Sequence, residues 1–250
     1  MKTINPGNPL TMHIISIDSS TAIAGIALTT DEAIVAEALF SANKTLSARL
    51  VPEIQRMLSA AGLTVADIDL FACAVGPGSF TGVRAGVATI QGLALAAAKP
   101  CVGFSTLALL AMNFPLATLP VCPLLDARKN EVYAALYDCS APLPVPLMAE
   151  CVMGPEAFLD QLLAATAGPV IFTGDGALRY REIIAARLGE QARFPSPYHH
   201  AGHAANGALL ALQAHRSGAT LTPDRLLPVY LRPSEAEYAK INQQNTRQSR

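Results

Sequence analysis

One cycle of predicted elements runs through the first half of this chain and then runs again through the second. From Met12, HIISID is apolar and ends on the polar cluster Asp18-Ser19-Ser20-Thr21, which reads as a strand entering a turn. AIAGIALTT and AIVAEALF follow, split by Thr30-Asp31-Glu32, and predict two further strands of an antiparallel meander. Leu46, Leu50, Ile54, Met57 and Leu58 recur at three- and four-residue steps, which predicts an amphipathic helix over 45–61 that Gly62 ends. IDLFACAV is then a buried strand, Gly76-Pro77-Gly78 a tight loop, and 80–98 a helix stopped before Pro100.

The second half repeats the order: VCPLLDA, EVYAALYD and PLMAECV as strands, a helix over 155–167 opened by Pro155, VIFTGDGA as a strand and glycine loop, then helices over 178–188 and 203–215. A duplication of this kind predicts an α/β fold of two lobes, each a mixed sheet with flanking helices, and a cleft where the equivalent turns face each other. The expected boundaries are a flexible extension at 1–11, an N-terminal lobe at 12–115, a C-terminal lobe at 116–234 and a polar, disordered tail at 235–250.

Composition agrees with a large core and narrows the partners. Of 250 residues 51% are apolar and 15% charged, with a net charge of -1, so no broad basic field exists to hold a phosphate backbone. The five cysteines, Cys73, Cys101, Cys122, Cys139 and Cys151, form no C-x-x-C pair and read as reduced, buried small hydrophobes of a cytoplasmic protein. The N-terminus lacks the basic start and apolar core of a secretory signal. The most apolar helix has fourteen uncharged residues between Arg84 and Lys99, short of the about 20 that a bilayer span needs, so no membrane role is expected.

Several motifs have a chemical and a bland reading. Asp18, Ser19, Ser20 and Thr21 place a carboxylate and three hydroxyls at a strand end, where they could gather a phosphate or magnesium, or simply close an Asx-type turn. The run Gly76-Pro77-Gly78-Ser79-Phe80-Thr81-Gly82-Val83-Arg84 has neither dinucleotide nor Walker spacing. Its helix carries a small-residue face at Gly82 and Gly86 beside Val83, Val87, Ile90 and Leu93, suited both to internal packing and, with Phe80, to a partner. Asp126 recurs at the equivalent strand end, followed by Arg128 and Lys129, which bind an anion or form a solvated turn. Gly174-Asp175-Gly176 opens a helix and could pass beside a phosphate or an adenine, or serve as a plain strand-to-helix turn. His199, His200 and His203 have no acidic or cysteine ligand near them in sequence and read as loop histidines, and Ser41-Ala42-Asn43-Lys44 lacks the companions of an S-x-x-K acylase. No catalytic set and no metal site is assembled from these residues.

IDSSTAIAGIAL, VGPGSFTGVRAGVATIQGLALA, PLLDARKNEVYAALYD and PVYLRPSEAE occur in an order that closely resembles the TsaB (YeaZ) family, from Met12 to about Glu237. The resemblance implies the two-lobed actin, sugar kinase and Hsp70-like ATPase fold, related to ribonuclease H, and a role as a degenerate paralogue of TsaD. It implies a non-catalytic subunit that pairs with TsaD, is joined by TsaE, forms homodimers without TsaD, and meets tRNA only indirectly while TsaD transfers threonylcarbamoyl to the adenosine beside the anticodon. TsaD proteins carry two metal-ligand histidines four residues apart after the glycine-rich helix and a short strand. Aligning Pro100-Cys101-Val102-Gly103 with that strand puts Thr106 and Leu110 at those positions, where no imidazole is available. No cofactor is then required, and only weak binding of ATP or ADP with magnesium is left. The rival readings are an ATPase or small-molecule kinase of the same fold, dependent on Asp18 and Asp126, and a metallopeptidase.

Overall fold

The computed structural model describes residues 11–31, 33–42 and 46–232. The extension expected at 1–11 lies outside them except for Thr11, and the tail expected at 235–250 lies outside them altogether.

Two five-stranded sheets carry the chain. The first contains β1 (His13–Asp18), β2 (Ile23–Thr30), β3 (Ile34–Ser41), β4 (Leu70–Gly76) and β5 (Cys101–Ser105) in the order β3-β2-β1-β4-β5. The second contains β6 (Val121–Asp126), β7 (Val132–Asp138), β8 (Val145–Met153), β9 (Val170–Thr173) and β10 (Ala192–Arg193) in the order β8-β7-β6-β9-β10. In each, the first strand is central, its meander neighbours pair antiparallel, and the two strands reached through helices pair parallel. Short turns can join only antiparallel neighbours, whereas parallel pairing needs a crossover. The two sheets are therefore one topology built twice, which is the actin, sugar kinase and Hsp70-like fold.

Helices fill the faces. On the first sheet, α1 (Leu46–Ala61) turns Leu50, Ile54, Met57 and Leu58 inward and α2 (Phe80–Ala97) adds Val83, Val87, Ile90 and Ala94. Gly62 ends α1 at φ +70°, a left-handed conformation that costs glycine little. By length and composition α2, 18 residues with a mean hydropathy of 1.2, could cross a membrane. Its inward face is packed in the core of the first lobe. The second sheet is covered by α4 (Pro155–Ala165), α5 (Asp175–Arg179) and α6 (Arg181–Leu188), so the helix expected over 178–188 is two short helices meeting at the buried Tyr180.

Two more helices depart from the sequence reading. The six-residue α3 (Thr106–Ala111) was not anticipated; Leu109 faces the first sheet while Leu107, Leu110 and Ala111 pack toward β6 and β7. The last helix, α7 (Ala204–Arg216), falls in the stretch 116–234 assigned to a C-terminal lobe, yet Ala208, Ala211 and Leu212 pack on Ile14, Leu70, Ala72 and Val102 of the first sheet. That face of the first sheet is apolar and its own half supplies no full-length helix to cover it. Glu37 of β3 holds the incoming end of α7, accepting from the Ala205 amide at 3.0 Å and standing 3.2 Å from His203 Nδ1.

Candidate functional site

The Asp18 turn is closed by the chain itself. Asp18 Oδ1 accepts from the Ser20 amide at 2.9 Å and the Ser20 hydroxyl at 2.6 Å. Ser19 Oγ donates to the Gly82 carbonyl at 2.8 Å and Thr21 Oγ1 to the Ile23 carbonyl at 2.9 Å. All three hydroxyls are thus spent locally, and Asp18, Ser19 and Ser20 are buried. Asp18 Oδ2 is also buried and has no hydrogen-bond partner. Gly202 covers it, since a Cβ there would stand 2.8 Å from Oδ2. Burial raises the Asp18 carboxyl above its ordinary value, with the two Ser20 hydrogen bonds opposing. The turn expected to receive a phosphate offers it neither a free hydroxyl nor an open approach, and magnesium nucleotide does not fit it as it stands.

The glycine-rich segment seals the turn from the other side. A Cβ at Gly78 would stand 2.3 Å from the Ser20 carbonyl oxygen, and one at Gly86 2.5 Å from Ser19 Oγ. Gly82 is tighter still against the Ser19 carbonyl. The backbone that this small-residue face admits is the chain's own. Gly82, Val83, Gly86, Val87 and Ile90, expected at a partner interface, are buried inside the first lobe, and Leu93 is half-buried. Of that set only Phe80 is exposed. The side of α2 that does face outward carries Thr81, Arg84, Ala88, Gly92, Leu95 and Ala96. A helix apolar nearly all round gives no periodic clue to which side turns in.

The second lobe repeats the device with different side chains. A Cβ at Gly174 would stand 2.2 Å from the Leu124 carbonyl oxygen and one at Gly176 2.8 Å from the Leu125 carbonyl carbon, so this loop packs on the end of β6. Asp175 Oδ1 accepts the Asp126 amide at 3.0 Å, and Asp126 Oδ2 pairs with Arg179 at 2.9 Å. Asp126 Oδ1 accepts the Arg128 amide at 3.0 Å, closing a turn in which Arg128, Lys129 and Asn130 all have positive φ. Gly174, Asp175, Gly176 and Asp126 are therefore joined to one another, but not to the Asp18 turn across an open cleft.

Between the two turns runs the segment His199–Gly202. His200 Nδ1 lies 3.2 Å from the Gly174 carbonyl oxygen, Thr173 Oγ1 donates to the His199 carbonyl at 2.6 Å, and Asn113 Nδ2 donates to the Ala201 carbonyl at 2.8 Å. Two residues on, Gly202 lies against Asp18. His199, His200 and His203 are tied separately to Ser196, Gly174 and Glu37, and among the described residues no group of three histidine, cysteine or acidic side chains is placed to hold a metal. Thr106 and Leu110 are fully buried in the packing around α3. Two shallow pockets, of about 380 and 220 Å³, lie at the C-terminal end of α2 and between β2 and α7, away from these turns. The cysteines are free, and burial raises their thiols, that of Cys101 to about 11.

Sequence reasoning assigned no element to the segment 221–232, although PVYLRPSEAE, which begins within it, carries part of the family resemblance. Leu221 pairs with Cys101, Gln91 donates to the Leu226 carbonyl at 2.9 Å, and the Val229 amide donates to the Val75 carbonyl at 2.8 Å. Tyr230 stacks on Phe80 with ring centroids 5.1 Å apart and accepts from Arg84 Nε at 2.8 Å. YLRP signalled the segment, but an extended strap has no periodicity to reveal its course.

The family model described as "TsaD: tRNA N6-adenosine threonylcarbamoyltransferase" matches residues 40–240. The tRNA threonylcarbamoyladenosine biosynthesis protein TsaB of Bacillus subtilis is 29% identical over 233 residues, 93% of this chain and 100% of that protein. The protein of the same name from Escherichia coli is 38% identical over 128 residues, 50% of this chain and 55% of that one. Among solved structures, YeaZ from Pseudomonas aeruginosa superposes with a TM-score of 0.74 at 27% identity, covering 88% of this chain and 100% of that one. With a family model spanning well over half its length, and the Bacillus and Pseudomonas proteins matched along the whole of theirs, the chain belongs to the TsaB (YeaZ) family, a relative of TsaD.

Proposed function

We propose that this chain serves tRNA threonylcarbamoyladenosine biosynthesis as a non-catalytic subunit that pairs with TsaD, with TsaE joining the pair. The observation that carries this reading is the sealed Asp18 turn, whose hydroxyls are consumed and whose free carboxylate oxygen lies under Gly202. Thr106 and Leu110, the positions aligned with the TsaD metal histidines, support it by being fully buried. No cofactor is required, and ATP or ADP with magnesium binds weakly if at all. The work of such a subunit is to present a surface, in the cytoplasm where its tRNA is modified. The outward side of α2, with Ala88, Gly92 and Leu95 between Thr81 and Ala96, is the side on which another helix can approach closely. Without TsaD the same side would pair two copies of this chain.

The test is reconstitution of tRNA modification with TsaC, TsaD and TsaE, with and without this chain. Modification that depends on the chain, lost when Gly92 becomes Trp, is expected; equal modification without it overturns the reading. The rival ATPase draws on the lone Asp18 oxygen, a polar atom that an incoming cation would satisfy. It requires magnesium-dependent ATP turnover by the purified chain that disappears in Asp18→Asn.

A further inference from the structure

The left-handed turn after β6 is held at both ends by the chain's far C-terminal segment. Arg128, Lys129 and Asn130 have φ of 60°, 51° and 57°. Such conformations are strained for residues with a Cβ, less so for asparagine, and persist where the surroundings impose them. Within the turn, the Ala127 amide donates to the Glu131 carbonyl and the Glu131 amide to the Arg128 carbonyl, each at 2.9 Å. From outside, Arg232 donates to the Ala127 carbonyl at 3.4 Å and pairs with the Glu131 carboxylate, gripping the residue before the turn and the residue after it.

Arg232 is delivered there by a short run of chain whose other end is fixed to the first lobe. Val229 bonds to Val75, beside Gly76, where a Cβ would meet the Val229 carbonyl oxygen at 2.6 Å. Tyr230 lies on Phe80, and Arg84 both donates to the Tyr230 hydroxyl and stands 3.7 Å from the centre of the Phe80 ring. From Val229 to Arg232 the chain can span only about 10 Å even when extended. There is little slack between the two anchors.

We propose that Val229–Arg232 is an interlobe strap that transmits the position of the α2 N-terminus to the strained turn Arg128–Asn130, holding that turn left-handed while the strap is seated and letting it relax when either anchor lets go. This goes beyond the subunit reading and does not depend on it. A strained turn clamped at both ends is a two-state element, and a contact that moves Phe80 or Arg84 acts on it through Tyr230 and Arg232 without touching the second lobe.

Amide hydrogen exchange of the full-length chain, followed by mass spectrometry of a peptide covering 127–131, tests this. Arg232→Ala should speed exchange of that peptide about tenfold, as expected when hydrogen bonds to a charged group that hold a local opening closed are lost. Tyr230→Ala, which alters only the first-lobe anchor, should speed the same peptide by a similar factor while peptides from β7 and β9 stay at their original rates. Arg84→Ala removes a side chain from the protein surface and carries the same expectation should the loss of the Tyr230 ring loosen the fold at large. Arg232→Lys, which keeps a donor for the Ala127 carbonyl and a cation for Glu131, should hold exchange slower than Arg232→Ala does. Unchanged exchange at 127–131 in the Arg84 variant, or exchange in Arg232→Lys as fast as in Arg232→Ala in a chain that still melts cooperatively, overturns the strap.

Discussion

Gly82 lies so close to the Ser19 carbonyl that a Cβ at Gly82 would stand 1.9 Å from its oxygen. The glycine-rich segment is thereby locked onto the Asp18 turn, backbone against backbone. The contact also explains why a motif that resembles a phosphate loop in composition serves here as a clamp.

Gly82→Ala cannot be relieved by a side-chain rotation, because the obstructing atom belongs to the main chain. We expect a loss of about 1–3 kcal/mol or more, read as a lower midpoint in urea denaturation. Gly92 is the control within the same helix, exposed and with no atom within 4 Å of a built Cβ. Gly92→Ala should gain about 1 kcal/mol from helix propensity. If both variants shift stability in the same direction, the clamp is misassigned.

The elements were legible because apolar strand runs and a three-to-four helical spacing survive in the sequence, as in HIISID and in Leu50, Ile54 and Met57. What could not be read was direction. The Ala-rich α7 shows that it is buried but not that it crosses to the first sheet, and α2 is apolar on both its inward and outward sides. At six residues α3 is too short to show a period. The candidate polar turns lie at strand ends, but beside the local bonds of Asp18 with Ser20 and Thr21 with Ile23 they are held by groups dozens of residues away, Gly82 for the Ser19 hydroxyl and Arg179 for the Asp126 carboxylate. No local pattern encodes those partnerships.

Asp18 should make stability depend on pH. Its carboxyl is raised above the ordinary value of 3.8 by burial, so between that value and the folded-state value the native chain holds a proton that the unfolded chain has lost. Stability from this group is present below 3.8 and declines as pH rises through the folded value. Asp18→Asn keeps an oxygen for the Ser20 amide and hydroxyl while removing the charge. It should be more stable than the parent at pH 7, with the gap shrinking as pH falls toward 4. A constant gap across that range, measured by urea denaturation, would show that the charge is not the cause.

Glu37→Ala should detach the start of α7 from β3. The carboxylate accepts the Ala205 amide and stands beside His203, in the role of a cap supplied from another strand. The expected cost is about 1–2 kcal/mol, the upper range for a helix cap. It should be accompanied by faster exchange of the first-turn amides of α7 while α4 remains unchanged, and uniform acceleration in both helices would argue against a capping role.

Glu150 joins the lobes at a second place. From β8 its Oε1 accepts from Ser105, the residue that also caps α3 through the Leu107 and Ala108 amides, and from the Tyr137 hydroxyl at 3.0 Å. Tyr137 is buried, so Glu150→Ala strands its hydroxyl away from water at a cost of about 1–3 kcal/mol. Truncating both sides, with Tyr137→Phe added, removes the stranded group and should recover part of that loss. In a double-mutant cycle the two substitutions should couple by more than 0.5 kcal/mol, the lower bound for residues that share a contact. Strict additivity would mean that the hydroxyl finds water when Glu150 is gone, and that the lobe junction is open there to solvent.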